Sequence, residues 1–124
     1  MTEASKTLLI IDDEQDIIDI YKFHFAEDEG YRVLAASNGE EALEVLNQNI
    51  VDLIISDVKM PRIDGLSLLK ILVEKYGSNR PHHIFVSGHS EVTEDYALSI
   101  GAAAYLEKPV GLIELTELVN SLLE

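Results

Sequence analysis

Four places in this chain carry side chains able to handle phosphate or a hard cation. They are the acidic run Asp12-Asp13-Glu14, the lone Asp57, the hydroxyl of Ser87 and the pair Lys108-Pro109. Carboxylates brought close together repel one another unless a cation or protons intervene. As hard oxygen ligands, a few carboxylates with open water positions suit Mg²⁺ (or Mn²⁺), and Mg²⁺ keeps several waters and often meets a phosphate. A lysine adds one fixed positive charge and a serine one hydroxyl donor. Taken singly, each has a plainer role: Asp13 as a helix cap, Ser87 as a turn residue, Lys108 as a solvated cation. The chemistry depends on whether the fold gathers them.

The elements that would gather them can be read from the apolar pattern. Leu8-Leu9-Ile10-Ile11, Leu53-Ile54-Ile55 and Ile84-Phe85-Val86 are continuous apolar runs, as parallel strands covered on both faces require. Val33 to Ala36 and Ala102 to Leu106 are weaker versions. Between them lie segments of helical period. Ile17, Ile20, Tyr21 and Phe25 form one stripe. Ser37-Asn38-Gly39-Glu40 reads as a capping box opening a helix through Ala42, Leu43 and Leu46. Leu66, Leu69, Leu72 and Val73 make a third stripe ending near Gly77, and Ser90 is expected to cap a fourth helix through Ala97 and Ile100 that stops at Gly101. Leu112, Leu115, Val119 and Leu122 share a face of the last helix.

Strict alternation of five strands and five helices predicts an α/β fold: a doubly wound parallel sheet, flavodoxin-like, in the order 2-1-3-4-5. The elements use the whole chain, so one domain over residues 1–124 is expected, with its core at about 6–123. In such sheets ligands bind beyond the carboxyl ends of the strands, at the switch point between strands 1 and 3. Strands 1, 3, 4 and 5 end in Asp12-Asp13, Asp57, Ser87 and Glu107-Lys108, respectively. With neighbouring strands ~4.8 Å apart, Asp12, Asp13 and Asp57 are expected to converge in one crevice.

Composition narrows the partners. Twenty-three acids against nine Lys and Arg give a net charge of −14, a field that repels polyphosphate and argues against direct nucleic-acid binding. The absence of cysteine excludes disulfides and thiolate metal sites. The first apolar run is far shorter than a signal-peptide core or the ~20 residues of a membrane span, so a soluble cytoplasmic protein without membrane contact is expected.

The stretches LLIIDDEQDI, SNGEEALEVL, DLIISDVKMPRIDGL, IFVSGHS and GAAAYLEKP resemble, in order and across about residues 6–123, the response-regulator receiver domains of two-component signalling. The resemblance implies that Asp57 is the phosphoacceptor, forming an aspartyl phosphate. It implies Asp12 and Asp13 as the acidic pair at Mg²⁺, with Asp13 the direct ligand and Asp12 acting largely through water. The backbone carbonyl of Lys59 would be a further ligand. Ser87 would be the switch hydroxyl, Lys108 the phosphoryl-pairing lysine, and Tyr105 the aromatic switch. Lys59 and His89 hold variable tuning positions, and Lys108-Pro109 matches a bond that is usually cis. Val110 stands where an aromatic is frequent. The implied donor is a sensor histidine kinase or a histidine phosphotransferase, and the implied output is a protein target met through the helix 4–strand 5–helix 5 face. A monomer, or a weak dimer through that face, would follow. The implied role is a phosphorelay switch that assists its own phosphorylation rather than an enzyme, in a stand-alone chemotaxis-regulator-like form.

Rival readings are weaker. Ser87, His89 and Ser90 lie in one loop without a GxSxG elbow, which argues against a hydrolase. A phosphatase working through an aspartyl phosphate would want Asp-x-Asp, where Asp57-Val58-Lys59 stands. Adjacent His82 and His83 point to opposite faces of a strand and cannot share a metal. A binding module indifferent to phosphate would not need every phosphorylation position filled.

Overall fold

Apolar runs too short for helices become the strands: β1 Thr7–Ile11, β2 Arg32–Ala36, β3 Leu53–Ser56, β4 His82–Ser87 and β5 Ala104–Glu107. The computed structural model describes residues 5–60, 62–88 and 92–124. All strand pairs are parallel, in the order β2-β1-β3-β4-β5, with Leu9 opposite both Leu34 and Ile54, and Phe85 opposite Tyr105. Helices α1 Gln15–Phe23, α2 Gly39–Gln48, α3 Gly65–Tyr76, α4 Glu94–Ser99 and α5 Leu112–Leu123 connect them.

Alternation along each strand divides the core into two layers. Leu8, Ile10, Leu53, Ile55, Ile84 and Val86 meet Ile18, Phe25, Leu115 and Val119, the side of α1 and α5. Leu9, Ile11 and Ile54 meet Ala42, Leu46, Leu68 and Leu72 of α2 and α3. Phe85, Leu69, Val58 and Ala97 form the remaining cluster under α3 and α4, with Tyr105 against it. β1, β3 and β4 are buried along nearly their whole length, which is why they read as unbroken apolar runs.

Several local expectations shift. Ile20 is 55% exposed, and the buried line is Ile18 on α1 and Phe25 just beyond it, with Tyr21 packed beside them. These three stand at i, i+3 and i+7, a regular helical face that takes Ile18 in place of Ile17 and Ile20. After α1 the chain makes a π turn, His24–Asp28, closed by the Glu29 N–H donating to the His24 carbonyl. On α2 the box moves by one residue. Asn38 is the cap, accepting from the Glu41 N–H at 2.8 Å, while the Ser37 hydroxyl donates to the Glu41 carboxylate at 2.9 Å. Ser90, expected to cap the fourth helix, lies outside the described residues. The cap seen on α4 is Thr93, which accepts from the Tyr96 N–H. On α3, Leu68 joins Leu69 and Leu72 as the buried line.

Candidate phosphoryl-transfer site

Beyond the carboxyl ends of β1, β3 and β5 lies an open cleft of about 540 Å³, with Asp12, Asp57 and Lys108 at its polar end. Its walls are Ile17, Tyr21, Pro109 and Val110, and its floor is core residues of β1, β3 and β4. The Lys108 ammonium donates to Asp57 Oδ2 at 3.1 Å, and the Lys59 N–H donates to Asp57 Oδ1 at 3.2 Å. Asp12 Oδ1 accepts from the Glu14 N–H at 2.9 Å, so the strand end folds back onto its own acid. Lys108 is anchored by its backbone, whose N–H donates to the Ser87 carbonyl at 2.9 Å, and the Lys108-Pro109 peptide is cis.

Asp57 is held from behind by the start of α3. The Gly65 N–H donates to the Val58 carbonyl at 2.8 Å. A Cβ on Gly65 would lie 2.3 Å from the Asp57 carbonyl oxygen and 2.8 Å from the Phe85 ring. Only glycine permits this approach, and the Asp64 side chain caps the helix by accepting from the Ser67 N–H.

Electrostatics set the two ends apart. Burial raises the Asp12 carboxyl above the ordinary carboxylate range, helped by the charges of Asp13 and Glu14. The Glu14 hydrogen bond and Lys108 oppose the rise without cancelling it. Burial works against the Lys108 ammonium, yet the hydrogen bond and charge of Asp57, with Asp12 and Tyr21, outweigh it and raise Lys108 above its ordinary value. The lysine therefore stays charged opposite Asp57. Burial also raises the Tyr21 phenol.

The cleft gathers Asp12, Asp57 and Lys108, but not every residue expected there. Asp13 and Lys59 are exposed and do not line it. Ser87 ends β4 with 2% of its surface exposed, and its hydroxyl finds no hydrogen-bond partner among the described residues. Tyr105 is half-buried and donates to the Val92 carbonyl at 3.2 Å. His89 lies outside the described residues. Glu14, the last of the acidic run, lines the cleft, as does Tyr21, which was not singled out as a site residue from sequence. Tyr21 read as a core residue, and only the depth of the cleft reveals its second face.

Among the described residues no three Asp, Glu or His side chains are gathered closely enough to hold one ion by themselves. The donors present nevertheless fit Mg²⁺, which is commonly bound by one or two carboxylates and completed by water and phosphate oxygens. Asp12 and Asp57 at an open, half-exposed mouth are such a pair.

A parallel 2-1-3-4-5 sheet with acids at the ends of β1 and β3 and a lysine after β5 defines a class of phosphate-handling α/β protein. The chain belongs to the response regulator receiver domain family, whose pattern it matches over residues 8–120. Response regulator SaeR of Staphylococcus aureus (strain USA300) is 37% identical over 116 residues, covering 94% of this chain and 50% of SaeR. The chain thus spans about half the length of the curated relatives it matches. The receiver domain of the Francisella response regulator 1452 superposes with a TM-score of 0.85 at 35% identity, covering 95% of this chain and 96% of that one. Chemotaxis response regulator CheY4 of Vibrio cholerae gives a TM-score of 0.83 at 26% identity, covering 96% and 99%. Receiver domains of this family are two-component signalling domains phosphorylated on aspartate and generally bind Mg²⁺ at the acidic site.

Proposed function

We propose that Asp57 is the phosphoacceptor and that this chain works as a receiver switch over residues 1–124, taking its phosphoryl group from a phosphohistidine. The donor would be a sensor histidine kinase or a histidine phosphotransferase. The observation that carries this reading is the Asp57–Lys108 pair at 3.1 Å, with Asp12 in the same cleft.

One Asp57 carboxylate oxygen attacks phosphorus in line, the P–N bond breaks, and the imidazole leaves with its electron pair. The product is an acyl phosphate, which water later cleaves to carboxylate and inorganic phosphate. Such transfers need positioning and charge neutralisation more than covalent help. Lys108 leaves its partner carboxylate to pair with a phosphoryl oxygen, and Ser87 supplies a buried hydroxyl with no competing partner among the described residues. Asp12 and Asp57, with Asp13 and the Lys59 carbonyl at the rim, would hold Mg²⁺ or Mn²⁺. When bound, the ion neutralises charge on the phosphoryl oxygens. Lys59 and His89 tune access of water.

Attraction of the Ser87 hydroxyl to the new dianion draws its loop inward, and Tyr105 exchanges its bond to Val92 for the space released. The outcome is a population shift on the α4–β5–α5 face, where Tyr96, Leu98 and Ile113 already stand exposed. A cytoplasmic downstream protein reads that face, this chain being a monomer or a weak dimer through it, and the net charge of −14 disfavours nucleic acid as the direct target. Incubation with acetyl phosphate and Mg²⁺ followed by intact mass tests the central step. Wild type should gain one phosphoryl group and Asp57→Asn none. Equal adducts in both would remove Asp57 from the role.

A further inference from the structure

The π turn at the end of α1 holds a histidine that phosphoryl transfer does not use. Thr116 on α5 donates its hydroxyl hydrogen to the Leu112 carbonyl at 2.7 Å. A hydroxyl has one hydrogen, so the 2.7 Å contact between Thr116 Oγ1 and His24 Nε2 is donated by the histidine. The bond needs a proton on Nε2, and in the neutral ring that tautomer leaves the lone pair on Nδ1. Phe25 packs its ring against the imidazole at 5.0 Å and 76°, limiting its rotation. Nδ1 faces Asp28 Oδ2 at 3.4 Å.

A nitrogen lone pair and a carboxylate oxygen repel unless a proton or cation lies between them. A charge-assisted hydrogen bond would close to ~2.7–2.9 Å. A tetrahedral Zn²⁺ with bonds of ~2.0–2.2 Å would instead hold the two atoms about 3.4 Å apart. A second-shell oxygen on the far ring nitrogen is the usual support of a metal-ligating histidine, and Thr116 supplies it. The π turn brings residues i and i+4 nearer to alignment than an α-helix does, and such turns recur at functional sites. Glu29, the neighbouring acid, is engaged by the Asn120 amide at 3.3 Å.

We propose that His24 Nδ1 and Asp28 form a two-residue site for a divalent transition ion of the Zn²⁺ type, completed by water and clamped to α5 through Thr116. The ligand set is distinct from the oxygen-only donors of the cleft, and a hard ion such as Mg²⁺ would not favour its imidazole. Zn²⁺ bound here would tie the end of α1 to α5.

Calorimetric titration of the whole chain with Zn²⁺ in excess Mg²⁺ tests this, with Co²⁺ absorption as a second readout of tetrahedral coordination. Wild type should take up one Zn²⁺ with visible Co²⁺ bands. Thr116→Val should weaken Zn²⁺ about tenfold, the scale of an outer-shell partner, and His24→Gln and Asp28→Asn should weaken it more. Asp28 is exposed, so its variant keeps the fold, which a thermal melt without metal verifies. Unchanged affinity in Asp28→Asn, or no uptake by wild type at millimolar Zn²⁺, overturns the site and leaves a protonated ion pair only. The readout needs no phosphoryl donor, so it stands or falls apart from Asp57.

Discussion

Two serines end adjacent strands, equally hidden and differently served. Ser56 closes β3 with 1% of its surface exposed, and its hydroxyl meets His83 Nε2 at 2.7 Å. Ser87 closes β4 at 2% exposure with no partner among the described residues. The first hydroxyl is used up inside the fold on a buried imidazole, whose ring centre lies 4.4 Å from that of Phe85. The second carries the desolvation cost of a buried donor, about 1–3 kcal/mol, which a phosphoryl oxygen could relieve. Between these two hydroxyls, the one with a partner serves the architecture and the one without, at a strand end beside the cleft, is open to a ligand.

The strongest way to break this contrast is to push the layer that both serines share. Gly65→Ala sets a methyl group against the Asp57 carbonyl and Phe85, both too close to give way. A loss of about 3 kcal/mol or more is expected in urea unfolding, together with slower phosphorylation of Asp57. A loss under about 1 kcal/mol would show that the β3 end is softer than drawn.

Acid should reach the Ser56 side of the contrast through His83. Burial lowers this imidazole from an ordinary 6.5 to about 3. Between those values the unfolded chain binds a proton that the folded chain refuses. Stability on this account is full above pH 6.5 and falls as pH drops toward 3, by at most ~1.4 kcal/mol per pH unit. Carboxylates add their own slope, so the test is a difference. Wild type minus His83→Gln, measured by denaturant melts, should decline on acidification. A flat difference would mean that the imidazole takes up its proton in the folded state.

The same substitution at the two serines should then differ in sign. Ser56→Ala strands His83 and should cost about 1–3 kcal/mol. Ser87→Ala removes a buried hydroxyl unpaired among the described residues and should leave stability unchanged or raise it by up to ~1 kcal/mol. At the same time it should abolish the phosphorylation-dependent change in the Tyr105 NMR signal. Equal losses from both would mean that Ser87 already has a structural partner.

Much of the fold was legible because burial on both faces writes parallel strands as unbroken apolar runs. The strand ends were legible for the same reason, since Asp12, Asp57, Ser87 and Lys108 each stand where an apolar run stops. His82 and His83 also divide as alternation requires, one exposed and one buried. Periodicity is ambiguous where apolar residues adjoin. Ile17, Ile18 and Ile20 all fit a helical stripe and packing on the sheet selects Ile18, while the Asn38 cap lies one residue beyond Ser37, which offers the same chemistry.

Sequence by itself determined the alternation of elements, the strand order that follows from it, and the set of groups waiting at the strand ends. Residue type and spacing carry that information locally. Tertiary structure alone decided which hydroxyl is satisfied and which has no partner among the described residues, that Asp12 and Asp57 line one cleft, and that His24 has one nitrogen committed to Thr116. Hydrogen-bond pairing and side-chain direction across 92 positions of chain depend on how the helices settle on the sheet, and no local spacing encodes that.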